Sequence, residues 1–208
     1  MTEAAAKTNG LIITWAARYD VLAWLFTHGR EGALRNRIVE LAQLTPGDSV
    51  LDIGCGTGTL AIAAARRVAP AGEVFGIDAS APMIARATWK AKRTHVKADF
   101  QLAAAEQLPF ADARFDVVLS TLMLHHLPRP TRQRAVAEAR RVLKPGGRML
   151  AVDFGRPTRK GLIAHFHRHG HVPIEQLVTL IETSGLKTVA SGPVGMNDLQ
   201  FVLAEARA

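Results

Sequence analysis

From Ser49 onward the chain alternates short apolar runs with stretches of helical apolar spacing, joined by turns rich in glycine and proline. Strands buried on both faces read as continuous apolar runs, and crossover helices between such strands build a parallel sheet. The alternation therefore predicts an α/β fold. The first predicted strand is Ser49–Ile53, followed by a helix over Gly58–Val68. The second is Glu73–Ile77, followed by a helix over Ala81–Lys92 with Pro82 in its first turn, where a missing N–H costs nothing. Phe100–Ala103 gives a short third strand, and Phe115–Ser120, an apolar run behind an acidic turn, gives a central fourth. Thr131–Leu143 has helical periodicity and is stopped by Pro145-Gly146-Gly147, after which Arg148–Phe154 is the fifth strand. Beyond an irregular basic segment, Gly155–Val172, a helix over Pro173–Ser184 closes on Gly185, and strands over Lys187–Ser191 and Leu199–Glu205 complete a seven-stranded sheet. Upstream, Thr14–Thr27 and Gly32–Leu44 read as two helices placed to cover the sheet's binding edge. The expected organisation is an N-terminal helical cap, residues 1–48, on a core formed by residues 49–208, in one domain overall.

Composition narrows this picture. A length of 208 residues, with 48% hydrophobic and 21% charged positions, suits one globular domain. The single cysteine, Cys55, excludes an internal disulfide and suggests a cytoplasmic setting. The most apolar stretch, Leu11–Phe26, is interrupted by Arg18 and Asp20 and makes a poor membrane span. The net charge of +8 and pI near 10.4 point toward phosphate-bearing partners. However, Arg35, Arg37, Arg66, Arg67, Lys90, Lys92, Arg93, Arg140 and Arg141 are scattered over several helices, the mark of solvated faces. A nucleic-acid partner is disfavoured, and peripheral membrane contact stays open.

The chemistry concentrates after the first strand, in Asp52-Ile53-Gly54-Cys55-Gly56-Thr57-Gly58. Ligands of open α/β sheets settle beyond the carboxyl ends of the strands, where glycines let a ligand approach the main chain. Asp78, ending the second strand, is placed to accept ribose hydroxyls, so the pair predicts a nucleoside-containing cofactor. The dinucleotide fingerprint runs G-x-G-x-x-G, whereas here the glycines run G-x-G-x-G behind Asp52. A carboxylate there repels a pyrophosphate but suits the sulfonium and amino groups of S-adenosylmethionine.

These residues resemble the methyltransferase family that includes the ubiquinone and menaquinone biosynthesis C-methyltransferases. The resemblance spans Trp15–Phe154 through Ala17-Arg18-Tyr19-Asp20, the glycine turn, Gly76-Ile77-Asp78-Ala79-Ser80 with Met83, Ala105-Glu106-Gln107-Leu108-Pro109-Phe110, Phe115-Asp116-Val117-Val118 and Leu143-Lys144-Pro145-Gly146-Gly147. It implies a Rossmann-like doubly wound sheet, mostly parallel with its last strand antiparallel. Asp52, Gly54, Cys55, Gly56 and Gly58 would surround the methionine part of S-adenosylmethionine, with Cys55 serving packing, and Asp78 would hold the ribose. Ala79 and Met83 would lie against the adenine, Ala105 with Glu106 near its edge, and Ser120 beside the cofactor. Tyr19 would reach in from a covering helix or act as a buried aromatic anchor. Relatives carry Asp where this chain has Ala104, which leaves adenine recognition to main-chain groups or water.

Methyl transfer is an in-line displacement that depends mainly on positioning and dryness, with a base helping where the acceptor must lose a proton. His125 and His126 follow the fourth strand, near the expected acceptor; His125 is favoured for an acceptor role, the alternative being a histidine satisfied at a helix end. His165, His167, His169 and His171 alternate in a segment that reads as a basic lid over the acceptor pocket rather than a metal site, since no cysteine or carboxylate accompanies them. No metal is expected. The apolar Leu122-Met123-Leu124 exit points to a small hydrophobic acceptor, such as a quinol, polyketide or terpenoid. Phosphatidylethanolamine N-methylation at a membrane surface is the rival reading, and an NAD-dependent oxidoreductase is the alternative from another class.

Overall fold

In a computed structural model, which describes residues 8–155, 172–196 and 198–207, the chain forms a seven-stranded sheet flanked by helices. The elements are α1 (Ala16–Phe26), α2 (Glu31–Leu41), β1 (Ser49–Ile53), α3 (Thr59–Val68), β2 (Glu73–Asp78), α4 (Ala81–Arg93), β3 (Asp99–Leu102), β4 (Phe115–Thr121), a 3-10 turn (Leu124–His126), α5 (Arg129–Val142), β5 (Leu143–Phe154), α6 (Ile174–Thr183), β6 (Leu186–Pro193) and β7 (Leu199–Ala206). The strand order is β3-β2-β1-β4-β5-β7-β6. Strands β3 through β5 pair in parallel, and β7 runs antiparallel between β5 and β6. The order reverses between β1 and β4, which puts the ligand crevice at the carboxyl ends of those two strands.

Two apolar layers sandwich the sheet. Leu34, Ile38, Leu60, Ala64 and Val68 of α2 and α3 pack with Val50, Val74, Val117 and Leu119 on one face. On the other, Val136 and Ala139 of α5 and Leu177 and Ile181 of α6 pack with Leu51, Ile77, Val118 and Met149. Strand residues alternate between the two layers, so β1 is buried along its whole length. Gly185, with φ +87, ends α6 in the left-handed conformation the sequence suggested.

Most boundaries fall within a few residues of expectation, but the start of the fifth strand departs from it in kind. The run Pro145-Gly146-Gly147 does not separate α5 from the fifth strand. The helix ends at Val142, and Leu143 already pairs with Phe115 before the register shifts to Val117 opposite Arg148. The proline and glycines therefore form an irregularity inside β5, where a locally disrupted ladder tolerates a residue without an N–H.

Candidate active site

The glycine turn is held from both sides by backbone bonds. The Gly54 and Cys55 N–H groups donate to the Ile77 carbonyl at 2.8 and 2.9 Å, and Gly58 N–H donates to the Cys55 carbonyl at 2.9 Å. Gly54 and Gly56 have φ of +71 and +53, left-handed values that a side chain would strain. Asp78, at the end of β2, accepts Gly56 N–H through Oδ2 and Ser80 N–H through Oδ1, both at 2.9 Å. Its carboxylate thus fixes the turn, and each oxygen keeps a lone pair for a further donor. Burial pushes the Asp78 pKa up against the lowering effect of those amide donors.

Asp52 is 1% exposed, and its Oδ2 has no hydrogen-bond partner among the described residues. Burial foremost, opposed by Arg35 and reinforced by Asp78, raises its pKa to about 7. Asp52 lines a small cavity on one side of the turn, together with Tyr19, Arg35, Gly54, Cys55, Gly56 and Thr57. A cleft of about 90 Å³ adjoins it, sharing Tyr19, Gly54 and Gly56 and lined further by Asp78, Ala79, Met83, Ala105, Glu106, Met123 and His126. Of the residues proposed from the sequence, Tyr19, Asp52, Gly54, Cys55, Gly56, Asp78, Ala79, Met83, Ala105, Glu106 and His126 are brought together around the turn. Cys55 is buried, which drives its thiol pKa well above the ordinary value, so it fills space there rather than acting as a nucleophile. A buried carboxylate oxygen without a donor, beside main chain bare of side chains, fits a ligand that carries positive charge and approaches closely.

Three expected residues stand apart. Gly58 does not line either cavity; a Cβ at its φ of +78 would meet the Ala87 Cβ at 2.7 Å and the Phe100 ring at 3.0 Å, so it serves the close approach of α3 to α4 and β3. Ser120 is 1% exposed and pairs with both Ile53 and Ala151. Strand β4 runs one residue longer than the apolar run suggested, and Thr121 and Leu122 line the cleft in its place. His125, favoured for the acceptor, is instead locked in the interior. Its Nδ1 lies 2.6 Å from Asp153 Oδ1, its backbone N–H donates to Asp153 Oδ2 at 3.1 Å, and its side chain is 8% exposed. Its neighbour His126 lines the cleft, with ring centroids 3.9 Å apart. Burial, then proximity to His125, lowers the His126 pKa to about 4, with Asp153 opposing. The alternating His165, His167, His169 and His171 lie outside the described residues.

Other site residues went unread in the sequence. The strap Thr8–Ile13 lies along the cleft, where Thr8 Oγ1 donates to Glu106 Oε1 at 2.7 Å and Leu11 N–H to the His126 carbonyl at 3.2 Å. Asp20, given no role in the sequence beyond its place in the Ala17-Arg18-Tyr19-Asp20 motif and its interruption of an apolar run, accepts from Thr57 Oγ1 of the turn and from Lys90 Nζ, both at 2.7 Å, and from Arg86 Nε at 3.0 Å. Burial opposes its ionisation, but these donors prevail and lower its pKa. The charged break in an otherwise greasy helix was the available signal. Leu122 adopts φ +56, which few β-carbon-bearing residues do, and this turn out of β4 brings Met123 over Gly54.

Residues 50–147 match the methyltransferase domain family. The chain is 36% identical over 154 residues to the ubiquinone/menaquinone biosynthesis C-methyltransferase UbiE of Ralstonia pickettii, covering 74% of this chain and 63% of that protein. It is 34% identical over 155 residues to the UbiE of Cupriavidus metallidurans, with the same coverage. It thus spans about 63% of the length of the curated relatives it matches. Among solved structures, a SAM dependent methyltransferase from Aquifex aeolicus superposes with a TM-score of 0.72 at 20% identity, covering 91% of this chain and 97% of that one. A SAM-dependent methyltransferase from Methanosarcina mazei gives 0.69 at 24% identity, covering 82% and 97%. Asp52, the glycine turn and Asp78 all lie within residues 50–147, the part of the chain that belongs to the methyltransferase domain family.

Proposed function

We propose that this protein transfers a methyl group from S-adenosylmethionine to a small, apolar acceptor. The observation that carries the reading is the buried Asp52 Oδ2, which has no donor among the described residues, set against the bare main chain of Gly54 and Gly56. That carboxylate would be driven apart from a pyrophosphate and satisfied by an ammonium or sulfonium, which favours this cofactor over a nicotinamide dinucleotide. Asp52 and the turn hold the methionine part, Asp78 accepts the ribose hydroxyls, Ala79 and Met83 flank the adenine, and Ala105 with Glu106 meet its edge. Tyr19 closes this side from α1. When bound, S-adenosylmethionine supplies a methyl group on a sulfonium, which leaves as a neutral thioether.

The opposite wall does the rest. Leu122, Met123, Leu127 and the strap residues Leu11, Ile12 and Ile13 make a dry apolar surface that suits a hydrophobic acceptor. His126 presents a neutral imidazole there, a weak base with its pKa lowered to about 4, able to accept a hydrogen bond from a phenol or enol and so to orient it toward the methyl group. Asp153 fixes His125, and the His125 ring backs His126. The similarity to enzymes named for ubiquinone and menaquinone biosynthesis supports a phenolic or quinol ring as the acceptor class.

Calorimetric titration tests the cofactor. S-adenosylhomocysteine binding with NADH silent supports the reading, and the reverse removes it. Labelled S-adenosylmethionine, offered with quinols and separately with phosphatidylethanolamine vesicles, tests the acceptor; transfer to the lipid amine alone would replace the quinol assignment. In this scheme His126→Ala retains S-adenosylhomocysteine affinity and loses about a hundredfold in turnover. Full turnover would leave His126 without a chemical role.

A further inference from the structure

We infer that the outer face of α1 and the adjoining stripe of α4 dock onto an anionic lipid bilayer. Helix α1 is inverted relative to an ordinary surface helix, which turns its apolar stripe inward. Its covered positions are Ala16, Tyr19, Asp20 and Ala23, while Trp15, Val21, Leu22, Trp24 and Leu25 stand 44–57% exposed. The chain has three tryptophans, and all three are on this surface, for Trp89 of α4 is 46% exposed. The Asp20 bonds to Arg86 and Lys90 tie α4 alongside α1, so Trp89 adjoins the same face. Tryptophan, apolar on its faces with one N–H, favours the boundary between headgroups and acyl chains.

Charge selects the occupant. Arg18 stands exposed among the apolar residues of α1, Lys92 and Arg93 are exposed on α4, and the Arg86 and Arg93 guanidiniums lie 4.6 and 5.2 Å from the Trp89 ring. Aliphatic and indole groups mixed with arginines complement a surface whose interior is hydrocarbon and whose rim is phosphate. Among the described residues no helix is long and apolar enough to cross a membrane, so the fit is to lying on the bilayer. The inward face of α1 carries Tyr19 of the cleft, so docking sets the cleft about one helix diameter, roughly 10 Å, below the lipid. A lipid-dissolved acceptor then has a short path inward; that clause alone rests on the proposed function.

Flotation of the full chain with phosphatidylcholine vesicles, and with vesicles in which roughly a third of the lipid is phosphatidylglycerol, tests the docking. The expected result is at least about tenfold tighter binding to the anionic vesicles, falling as salt rises. Leu22→Ser/Leu25→Ser and Arg18→Glu/Arg93→Glu, both pairs on the exposed face, should each weaken it at least about tenfold. Far-UV circular dichroism and S-adenosylhomocysteine titration of the same variants should match the parent, which separates failure of the docking from failure of the fold or of the cofactor reading. Absence of binding to either vesicle, or full binding by both variants, overturns the proposal. A dimer in sedimentation that the leucine pair abolishes also overturns it, because a second copy would then cover the face.

Discussion

The β1–β2 wall of the cleft and the wall formed by the β4 exit with the Thr8–Ile13 strap face one another but are fixed by different means. On the first, the Ile77 carbonyl and the Asp78 carboxylate hold the glycine turn through backbone N–H groups, so its shape depends on main chain and one side chain. On the second, a left-handed Leu122, the Asp153–His125 pair and bonds from the strap set the surface, and the lining includes the side-chain-bearing residues Leu11, Ile12, Ile13, Met123, His126 and Leu127. A backbone-built wall suits a cofactor common to a family. A side-chain wall can be refitted to a new acceptor while the sheet stays the same.

The contrast can be broken most forcefully at Asp153. Asp153→Ala removes the carboxylate that binds both the His125 ring and the His125 backbone N–H, in a site that is 1% exposed. This should cost about 3–5 kcal/mol of stability and lower the melting temperature by roughly 10 °C in a thermal scan. An unchanged melt would mean that the acceptor wall does not lean on this pair. Next in size, Asp78→Ala should weaken S-adenosylhomocysteine binding by about 1.5–3 kcal/mol in calorimetry, through lost charge-assisted hydrogen bonds. Equal affinity would detach Asp78 from the ligand.

Smaller effects follow from pH. The Asp52 carboxyl titrates at about 7 in the fold against 3.8 ordinarily, so between those values the folded chain holds a proton that the unfolded chain has released. Its contribution to stability is therefore greatest at the acid end of that window and is lost as pH rises to about 7. A bound cation needs the ionised form, so cofactor affinity should gain up to about tenfold per pH unit below 7 and level off above, with proton release seen in buffers of different ionisation enthalpy. A flat profile would show that Asp52 does not meet the ligand's charge. His126 has the opposite sign: with its pKa lowered from 6.5 to about 4, stability is lost as pH falls through that window. His126→Gln should flatten that acid limb in urea melts.

How much of this was legible beforehand follows the same division. The strand-turn-helix pattern and its glycines announce themselves in one dimension, because period and φ requirements are local properties; β1, α4 and Asp78 stand where the sequence put them. Gly58 shares the spacing of Gly54 and Gly56, yet its reason is the Ala87 methyl across the α3–α4 contact, which only the fold reveals. Which of His125 and His126 faces the cleft depends on Asp153, 28 residues away, and on a 3-10 turn too short to leave a periodicity. The strap was invisible because Thr8–Ile13 has no regular structure of its own.

That strap also bears on how fast the protein can load. The cleft beneath it, about 90 Å³, is smaller than the roughly 300 Å³ at which small-molecule sites begin, so loading a nucleoside calls for more room than the closed strap leaves. The two hydrogen bonds that close it, Thr8 to Glu106 and Leu11 to His126, amount to about 1–3 kcal/mol net. On those bonds alone, between roughly one molecule in six and one in 160 stands open at any instant, and the association rate constant falls to about that fraction of its open-state value.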